Sequence, residues 1–286
     1  MTRAPSELLG LARTIAIEAG ELAVRRRREG VQIAATKSTI VDVVTEADRE
    51  IELLIRSRIN DARPGDAVLG EEGGLGEDGG AASGTSGLTW VVDPIDGTVN
   101  YLYGIPHYAV SIAVVEGEPD PRTWTGLAGC VLNPAIGELF TASRGEGAFL
   151  SSGGGAAAPI RIAEPVPLEL ALINTGFAYN ATTRGRQGEV VARLLPLVRD
   201  IRRMGTASLD LCMVASGRAN AYVERTLSPW DHAAGAIIAR EAGAVVKGFA
   251  DAAPNRDLIL AAEPALAAVL ELLLLELGMR FELPAN

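Results

Sequence analysis

The sequence predicts an α/β protein built as a layered sandwich of helices and mixed sheets, and three observations support this. Segments with helical spacing of apolar residues and short apolar runs typical of strands follow one another in mixed order along the chain. Strand-like runs in its middle are separated by turn residues, which is typical of an antiparallel meander. With 286 residues and 48% apolar content, the chain can form one large domain or two closely packed ones.

The first half of the chain is predicted to contain two helices and a series of strands. Apolar residues at helical spacing over 8–23 predict a helix that Ser6 would cap and Gly30 would end. Thr45 opens a second helix, whose buried stripe covers residues 47–59. Strands are predicted at residues 39–44, 67–69, 88–92, 108–115, 127–131 and 138–142 and around Phe149, with a glycine-rich surface loop at 73–87.

The second half is predicted to continue this mixture. A loop of small residues at 151–159 is the best candidate for a boundary between two halves. Pro196 should bend or end a helix, and Gly217 and Gly243 should each stop one. Helices are predicted at 188–198, 206–215, 230–242 and 264–277, and strands at 160–162, 170–174, 219–224, 244–246 and 258–262.

Charge and hydropathy argue against two classes of partner. The formal net charge is −10 and the pI is about 4.9, so no direct binding of nucleic acid or of an anionic membrane is expected. The longest apolar stretch, residues 266–277, is interrupted by two glutamates and is too short to span a bilayer. The N-terminal segment lacks the apolar core of a signal peptide. Cys130 and Cys212 lie in apolar surroundings, which favours buried free thiols over a disulfide. We therefore expect a cytoplasmic protein.

The rest of the chain is organised around residues 90–98, WVVDPIDGT. An apolar strand leads into Asp93 and Asp96, and Pro94 is predicted to end that strand. Two carboxylates held this close repel unless a cation lies between them, and hard divalent ions such as Mg²⁺ prefer oxygen ligands. The stretch therefore predicts a metal site.

The residues that follow predict an anion site beside this metal site. Gly97 would let the backbone approach a ligand, and Thr98 would cap a helical turn. Backbone N–H groups at the start of such a turn attract phosphate. An ordinary surface turn and a lone structural Ca²⁺ loop remain alternatives. The apolar strand argues against the first, and the lack of a twelve-residue helix–loop–helix spacing argues against the second.

Four motifs in this chain resemble those of the inositol monophosphatase family. They are VTEAD at 44–48, GEE at 70–72, WVVDPIDGTVNY at 90–101 and WDHAAGA at 230–236, in the order that the family has them. Each is weak alone, but together they extend the similarity from about residue 37 to residue 246. Residues 202–210, RRMGTASLD, resemble the bacterial branch of the family.

The resemblance implies a five-layer αβαβα sandwich. The whole chain, 1–286, would be a single domain of two packed halves. The half at 1–150 would hold most of the metal ligands, and the half at 160–280 would hold the residues on the substrate side. A homodimer and inhibition by lithium are further expectations that the family carries.

The resemblance also implies hydrolysis of a small phosphate monoester with two or three Mg²⁺ ions. One ion would take Glu71, Asp93 and the carbonyl of Ile95. A second would take Asp93, Asp96 and Asp231, and a third would lie by Glu71 with mostly water ligands. Metal ions are a reasonable requirement for so slow a reaction. Asp231 opens a helix, and a capping role there is compatible with metal binding.

Four residues are implied to take part in the reaction: Glu71, Asp48, Thr98 and Lys37. Asp48 would hydrogen-bond Thr98 so that the hydroxyl orients the attacking water. Asp48 also has capping-box spacing from Thr45, so it would stabilise the start of a helix in any case. For Lys37, a solvated loop lysine is an equally good interpretation.

On the substrate side, Asp96, Gly97, Thr98 and Asp231 are expected to bind the substrate, with the backbone N–H groups of Gly97 and Thr98 on the phosphate oxygens. Gly205, Thr206, Ala207 and Glu224 match positions that contact the inositol ring, where an acidic residue accepts hydrogen bonds from hydroxyl groups. The NTGF segment at 174–177 departs from the animal enzymes, so the sequence leaves selectivity open on this side.

The favoured hypothesis is a Mg²⁺-dependent phosphatase acting on myo-inositol 1-phosphate. The alternatives within the superfamily act on fructose 1,6-bisphosphate, 3′-phosphoadenosine phosphate or histidinol phosphate. A regulatory role through a protein partner is a further alternative, because some bacterial relatives act as binding proteins in RNA synthesis.

Overall fold

The computed structural model describes residues 4–31, 33–36, 43–75 and 84–283, and it arranges them in five alternating layers. Two helices cover an eight-stranded sheet, two more lie between that sheet and a five-stranded one, and a further pair covers the far side. The predicted αβαβα sandwich is therefore confirmed.

The first layer consists of α1 (Pro5–Glu29) and α2 (Glu46–Ala62). The chain between them forms a small antiparallel pair from β1 (Ile33–Thr36) and β2 (Val43–Thr45). The strand predicted at 39–44 overlaps β2, and its residues 39–42 lie outside the described part of the chain. α1 begins at Pro5, so Ser6 lies inside the first turn instead of capping it; proline favours the first helical position.

The second layer is the eight-stranded sheet, in the order β10-β9-β8-β7-β6-β5-β3-β4. β3 and β5 run parallel, and every other neighbouring pair is antiparallel, which confirms the predicted meander. The strands are β3 (Ala67–Gly70), β4 (Gly74–Leu75), β5 (Leu88–Asp96), β6 (Ala109–Glu116), β7 (Thr125–Asn133), β8 (Glu138–Ser143), β9 (Gly147–Ser152) and β10 (Ala158–Ile160).

The loop predicted at 151–159 is shorter than expected. β9 continues to Ser152, and β10 pairs with it at the edge of the first sheet. The strand predicted at 160–162 is therefore this edge strand, shifted towards the N-terminus. β4 lies within the segment predicted as a loop, because it pairs with β3 over only two residues and is too short to leave a pattern.

The fourth layer is the five-stranded sheet, in the order β12-β11-β13-β15-β14. β11 runs parallel to both β12 and β13, and β15 is antiparallel to β13 and β14. The strands are β11 (Leu172–Thr175), β12 (Asp200–Arg202), β13 (Ala221–Glu224), β14 (Val245–Lys247) and β15 (Ile259–Ala262). The sequence reading did not identify β12, an edge strand of three residues.

Four longer helices and one short helix complete the fold: α3 (Thr98–Tyr103), α4 (Ala181–Leu194), α5 (Ala207–Ala215), α6 (Pro229–Glu241) and α7 (Pro264–Glu276). α4 begins earlier than predicted because Asn180 caps it through its side chain. It ends at Leu194, and a 3₁₀ turn containing Pro196 follows, as expected for a helix-ending proline.

Three apolar clusters hold the layers together. One lies between α1, α2 and the first sheet, the second between the two sheets around α5 and α6, and the third between the second sheet, α4 and α7. Cys130 and Cys212 are buried and free, as predicted. Of the helices in the described ranges, none is long and apolar enough to cross a membrane.

Candidate active site

The end of β5 differs from the sequence prediction in an instructive way. Asp93 pairs with Ser111 and Asp96 with Ala109, so three steps along β5 match two along β6. Pro94 therefore lies in a bulge, and it does not end the strand. Residues three apart on a regular strand point to opposite faces, and a bulge re-aims one of them. Asp93 and Asp96 both line the same cavity.

This cavity has a volume of about 1030 Å³ and lies where the two sheets meet. Its wall brings together side chains from elements far apart in the sequence: the loop after β3, the end of β5, the end of β13 and the first turns of α5 and α6. The lining residues include the predicted Glu71, Asp93, Ile95, Asp96, Gly97, Thr98, Gly205, Thr206, Ala207, Glu224 and Asp231.

The carboxylates in this cavity raise one another's pKa values. Burial is the largest cause of a pKa for Asp93 well above its ordinary value, and the charges of Glu71, Asp96 and Asp231 add to it. Burial, followed by the charges of Glu71 and Asp96, likewise raises the pKa of Asp231. Burial raises the pKa of Asp96 to about 7, although hydrogen bonds from Ser208 lower it. The four carboxylates therefore lie close enough to repel one another.

The donor set fits a hard cation. The Oδ1 atom of Asp93 is buried and, within the described ranges, has no hydrogen-bond partner. A buried carboxylate oxygen without a donor is costly unless a cation faces it. Among the described residues, no three His, Cys, Asp or Glu side chains lie close enough together to hold a metal ion in this conformation. The residue types fit Mg²⁺, and a bound ion would have to draw the repelling carboxylates inwards.

Asp96 is held by a residue that the sequence reading did not single out. Ser208, in the first turn of α5, donates to Asp96 Oδ2 from its backbone N at 2.7 Å and from its Oγ at 2.5 Å. Both bonds go to one oxygen, and a backbone hydrogen bond from Ala207 adds to them in lowering the pKa of Asp96. The only sequence signal is the position of Ser208 near the start of a predicted helix.

Asp231 lies in the first turn of α6 and forms a capping box with Ser228. The backbone N of Ser228 donates to Asp231 Oδ2 at 2.6 Å. This capping fixes the carboxylate at the end of the helix that borders the cavity. The next residue, His232, is buried, and burial lowers its pKa to about 3.

Asp48 contacts the cavity through Thr98. Its Oδ1 lies 3.2 Å from Thr98 Oγ, which is also 3.1 Å from the carbonyl of Ile95. Its Oδ2 accepts from the backbone N of Thr45 at 2.9 Å and from the Thr45 hydroxyl. Burial raises the pKa of Asp48 to about 7. The helix-capping contact and the Thr98 contact therefore use different oxygens of one carboxylate.

The glycine of this turn is required by its conformation. Gly97 has φ 92°, a left-handed value, and it is Gly97 that occupies the N-cap of α3, the position predicted for Thr98. A Cβ at Gly97 would collide with the side chain of Thr206. The Thr206 hydroxyl donates to the carbonyl of His107 at 2.8 Å, so it braces the cavity wall.

The loop that carries Glu71 is held by a buried ion pair on α2 that the sequence reading missed. Glu52 accepts from the backbone N of Glu72 at 2.8 Å and of Gly73 at 2.9 Å. Arg56 Nε lies 2.8 Å from Glu52, and its guanidinium also donates to the carbonyl of Gly74 at 2.8 Å. Asp48 and Glu52 are four residues apart, so one face of α2 supports two parts of the site.

Lys37 lies outside the described residues. Glu72 is half-buried, and its backbone N donates to the Glu52 carboxylate. On the side predicted to contact the substrate, Glu224 at the end of β13 lines the cavity together with Phe177, which follows β11. Arg203 and Arg256 line the same side, so acidic and basic groups both face it.

Known proteins resemble this chain in sequence and in fold. A sequence model described as the inositol monophosphatase family matches residues 4–275. An inositol-1-monophosphatase of Mycobacterium leprae is 42% identical over 283 residues, which cover 93% of this chain and 92% of the relative. A protein of Xylella fastidiosa named Nus factor SuhB is 40% identical over 242 residues, covering 84% of this chain and 81% of the relative. The solved structure of Mycobacterium tuberculosis SuhB has a TM-score of 0.80 at 39% identity and covers 98% of this chain and 100% of that one.

Proposed function

This chain belongs to the inositol monophosphatase family and is a phosphatase, and from that premise we propose that it hydrolyses myo-inositol 1-phosphate to inositol and phosphate with Mg²⁺. One observation carries the proposal. Carboxylates from three separate elements line one cavity, and a buried oxygen of Asp93 has no partner there among the described residues. A phosphate monoester needs such a site because its uncatalysed hydrolysis is very slow.

The proposed ligands are Glu71, Asp93, Asp96, Asp231 and the carbonyl of Ile95. Glu71, Asp93 and Ile95 would hold one ion, and Asp93, Asp96 and Asp231 a second, while a weaker third ion would lie by Glu71. Bound Mg²⁺ supplies Lewis-acid stabilisation of phosphoryl charge and makes water a better nucleophile.

The residues of the chain then orient the reactants. Thr98 has one hydroxyl proton and two lone pairs, and it lies between Asp48 and Ile95, so it donates to one of them and can accept from water. This supports a role for Asp48 and Thr98 in orienting the attacking water. Gly97 and Thr98 would present backbone N–H groups to the phosphate. Glu224 would accept from a hydroxyl of the leaving alcohol.

The substrate is tested by measuring phosphate release from four compounds with and without Mg²⁺: myo-inositol 1-phosphate, fructose 1,6-bisphosphate, histidinol phosphate and 3′-phosphoadenosine phosphate. We expect Mg²⁺-dependent release with the highest kcat/KM for inositol phosphate, and inhibition by lithium. A clear preference for another compound would replace the proposed substrate. Release that is unchanged after chelation would refute the proposed cofactor.

A regulatory role is the second candidate, because relatives at 38–40% identity carry the name Nus factor SuhB. The acidic net charge of −10 makes a protein partner a better candidate than direct RNA contact. A pull-down with purified transcription proteins tests this role, and an Asp93→Asn variant that is inactive but still bound would separate it from catalysis.

The quaternary structure and location are proposed from the family alone. We propose a homodimer in the cytoplasm. Light scattering of the purified full chain should give twice the monomer mass of 29.9 kDa, and a mass of one chain would contradict it.

A further inference from the structure

The Glu224 carboxylate is held by Tyr222, two residues earlier on β13. Tyr222 is fully buried, and its hydroxyl donates to Glu224 Oε2 at 2.7 Å. Burial raises the pKa of Glu224 to about 7, while the Tyr222 hydrogen bond and the charge of Arg203 lower it. Tyr222 therefore favours the ionised form of Glu224, whose carboxylate lines the cavity at the end of β13.

Gly176 packs directly against the Glu224 carboxylate. A Cβ at residue 176 would overlap both oxygens and the carboxyl carbon of Glu224. Gly176 is not among the glycines with a positive φ, so its backbone conformation does not require glycine. The space occupied by Glu224 is what excludes a side chain here. This assigns a role to the NTGF segment, where the sequence departs from the animal enzymes.

We propose that Tyr222 and Gly176 are positioning residues that hold the Glu224 carboxylate where it accepts a hydrogen bond from a substrate hydroxyl. The site then favours phosphate monoesters whose alcohol carries a hydroxyl facing Glu224. The inference rests on the proposed function, because it concerns the leaving-group side of the same reaction. Tyr222 occupies one oxygen, and an ionised carboxylate has further acceptor sites for the substrate. A site built to accept a hydroxyl rejects an analogue that lacks it, because the acceptor is then left unpaired.

The test compares myo-inositol 1-phosphate with cyclohexyl phosphate, which has the same ring size but no hydroxyl. The Tyr222→Phe variant should lower kcat/KM for inositol phosphate by about tenfold, mostly through KM, because a hydrogen bond to a charged group is lost. With cyclohexyl phosphate, kcat/KM of the variant should stay within about twofold of the wild type, since this substrate has no hydroxyl that could donate to Glu224.

Tyr101→Phe is the matched control. It also removes one buried tyrosine hydroxyl, which donates to the carbonyl of Ala23 at 2.9 Å on the far side of the first sheet. The ratio of the two kcat/KM values should not change in this variant. Equal losses on both substrates in Tyr222→Phe, or the same change of ratio in Tyr101→Phe, would overturn the inference while leaving the proposed function intact. Turnover of neither substrate by the wild type would overturn both.

A second pair of variants tests whether Gly176 acts through Glu224. Gly176→Ala should reduce the preference for inositol phosphate, because the added methyl group displaces the Glu224 carboxylate. In a Glu224→Ala background there is nothing left to displace, so Gly176→Ala should change the preference no further. A loss of the same size in both backgrounds would contradict the assignment of Gly176.

Discussion

Asp93 is the residue on which the proposed metal site depends most. It is almost completely buried, it is surrounded by three other carboxylates, and one of its oxygens lacks a hydrogen-bond partner in the described part of the chain. Such a group destabilises the protein when no cation is bound. Its neighbour in the bulge, Asp96, differs because Ser208 already satisfies one of its oxygens.

Replacing Asp93 should therefore separate stability from activity. In Asp93→Asn, one of four mutually repelling charges is gone, so the metal-free protein should gain about 1–2 kcal/mol in free energy of unfolding at pH 8. Phosphate release should fall by about 10³-fold, because several kcal/mol of metal-dependent stabilisation are lost. Urea denaturation in EDTA and a phosphate assay in Mg²⁺ measure the two effects.

The control for this pair is Asp61→Asn, an exposed carboxylate at the end of α2. It should leave activity unchanged and shift the free energy of unfolding by less than about 0.5 kcal/mol. Near-normal activity of Asp93→Asn would remove Asp93 from the proposed site.

At the scale of elements, α2 sets the spacing within the site. Asp48 in its first turn reaches Thr98, and Glu52 one turn later holds the loop of Glu71. The capping box of Thr45 and Asp48 stabilises the start of the helix. The contact with Thr98 and the contact with the loop of Glu71 therefore come from one rigid element. A shift of α2 would move both parts of the site together.

Glu52→Gln should weaken Mg²⁺ binding as well as the fold. The variant leaves the buried Arg56 without its ionic partner, which costs about 3–5 kcal/mol in free energy of unfolding. Loss of a residue that supports a ligand loop typically lowers metal affinity by about tenfold or more. Isothermal titration of the metal-free protein with Mg²⁺ measures this below the temperature of unfolding.

Glu50→Gln, on the same helix, provides the comparison. It breaks an ion pair with Arg26 whose side chains are 39% and 43% exposed, so it should leave both the stability of the fold and the Mg²⁺ affinity nearly unchanged. If Glu52→Gln bound Mg²⁺ as tightly as the wild type, Glu52 would be a purely structural residue.

The elements also show how far the sequence could lead. The strand before Asp93, the helix after Asp231 and the capping box at Thr45 all follow from local patterns, and each is present. The bulge at Pro94 was not predictable, because it depends on how β5 pairs with β6. The supports from Ser208 and Glu52 join elements distant in sequence, and a single sequence gives no signal for such contacts. Gly176 was missed for the same reason, because it meets Glu224 across two strands. Tyr222 was also missed, although it lies only two residues before Glu224 on β13.

At the scale of the whole molecule, the cavity forms where two sheets and their helices meet. The first sheet supplies Asp93 and Asp96, the second supplies Glu224, and α6 between them supplies Asp231. Folding therefore collects buried carboxylates whose pKa values rise together. The set consists of Asp48, Asp93, Asp96, Asp210, Glu224 and Asp231.

These shifts predict how the stability of the metal-free protein depends on pH. The unfolded-state pKa of such groups is about 4, and the folded-state value is about 7 for Asp48, Asp96 and Glu224. The folded state thus binds more protons over this range, so stability is retained at lower pH and lost as the pH rises through 7. The half-buried His107 and the buried His232 have lowered pKa values and act in the opposite direction, but the carboxylates outnumber them.

Thermal unfolding in EDTA should therefore give a Tm at pH 6 that is at least about 3 °C higher than at pH 8. Saturating Mg²⁺ should raise Tm more at pH 8 than at pH 6, because the ion binds ionised carboxylates. A metal-free Tm that rises from pH 6 to pH 8 would mean that the carboxylates are not the dominant titrating groups.

The central claim is that these carboxylates converge on bound metal beside a phosphate site. Crystals soaked with Mn²⁺, which prefers the same oxygen ligands as Mg²⁺ and scatters anomalously, test it most directly. We expect anomalous peaks in the cavity within about 2.2 Å of oxygens from Asp93 and Asp96, with Glu71 and Asp231 completing the coordination. Peaks confined to other surfaces, with no peak between the side chains of residues 71, 93, 96 and 231, would contradict the claim.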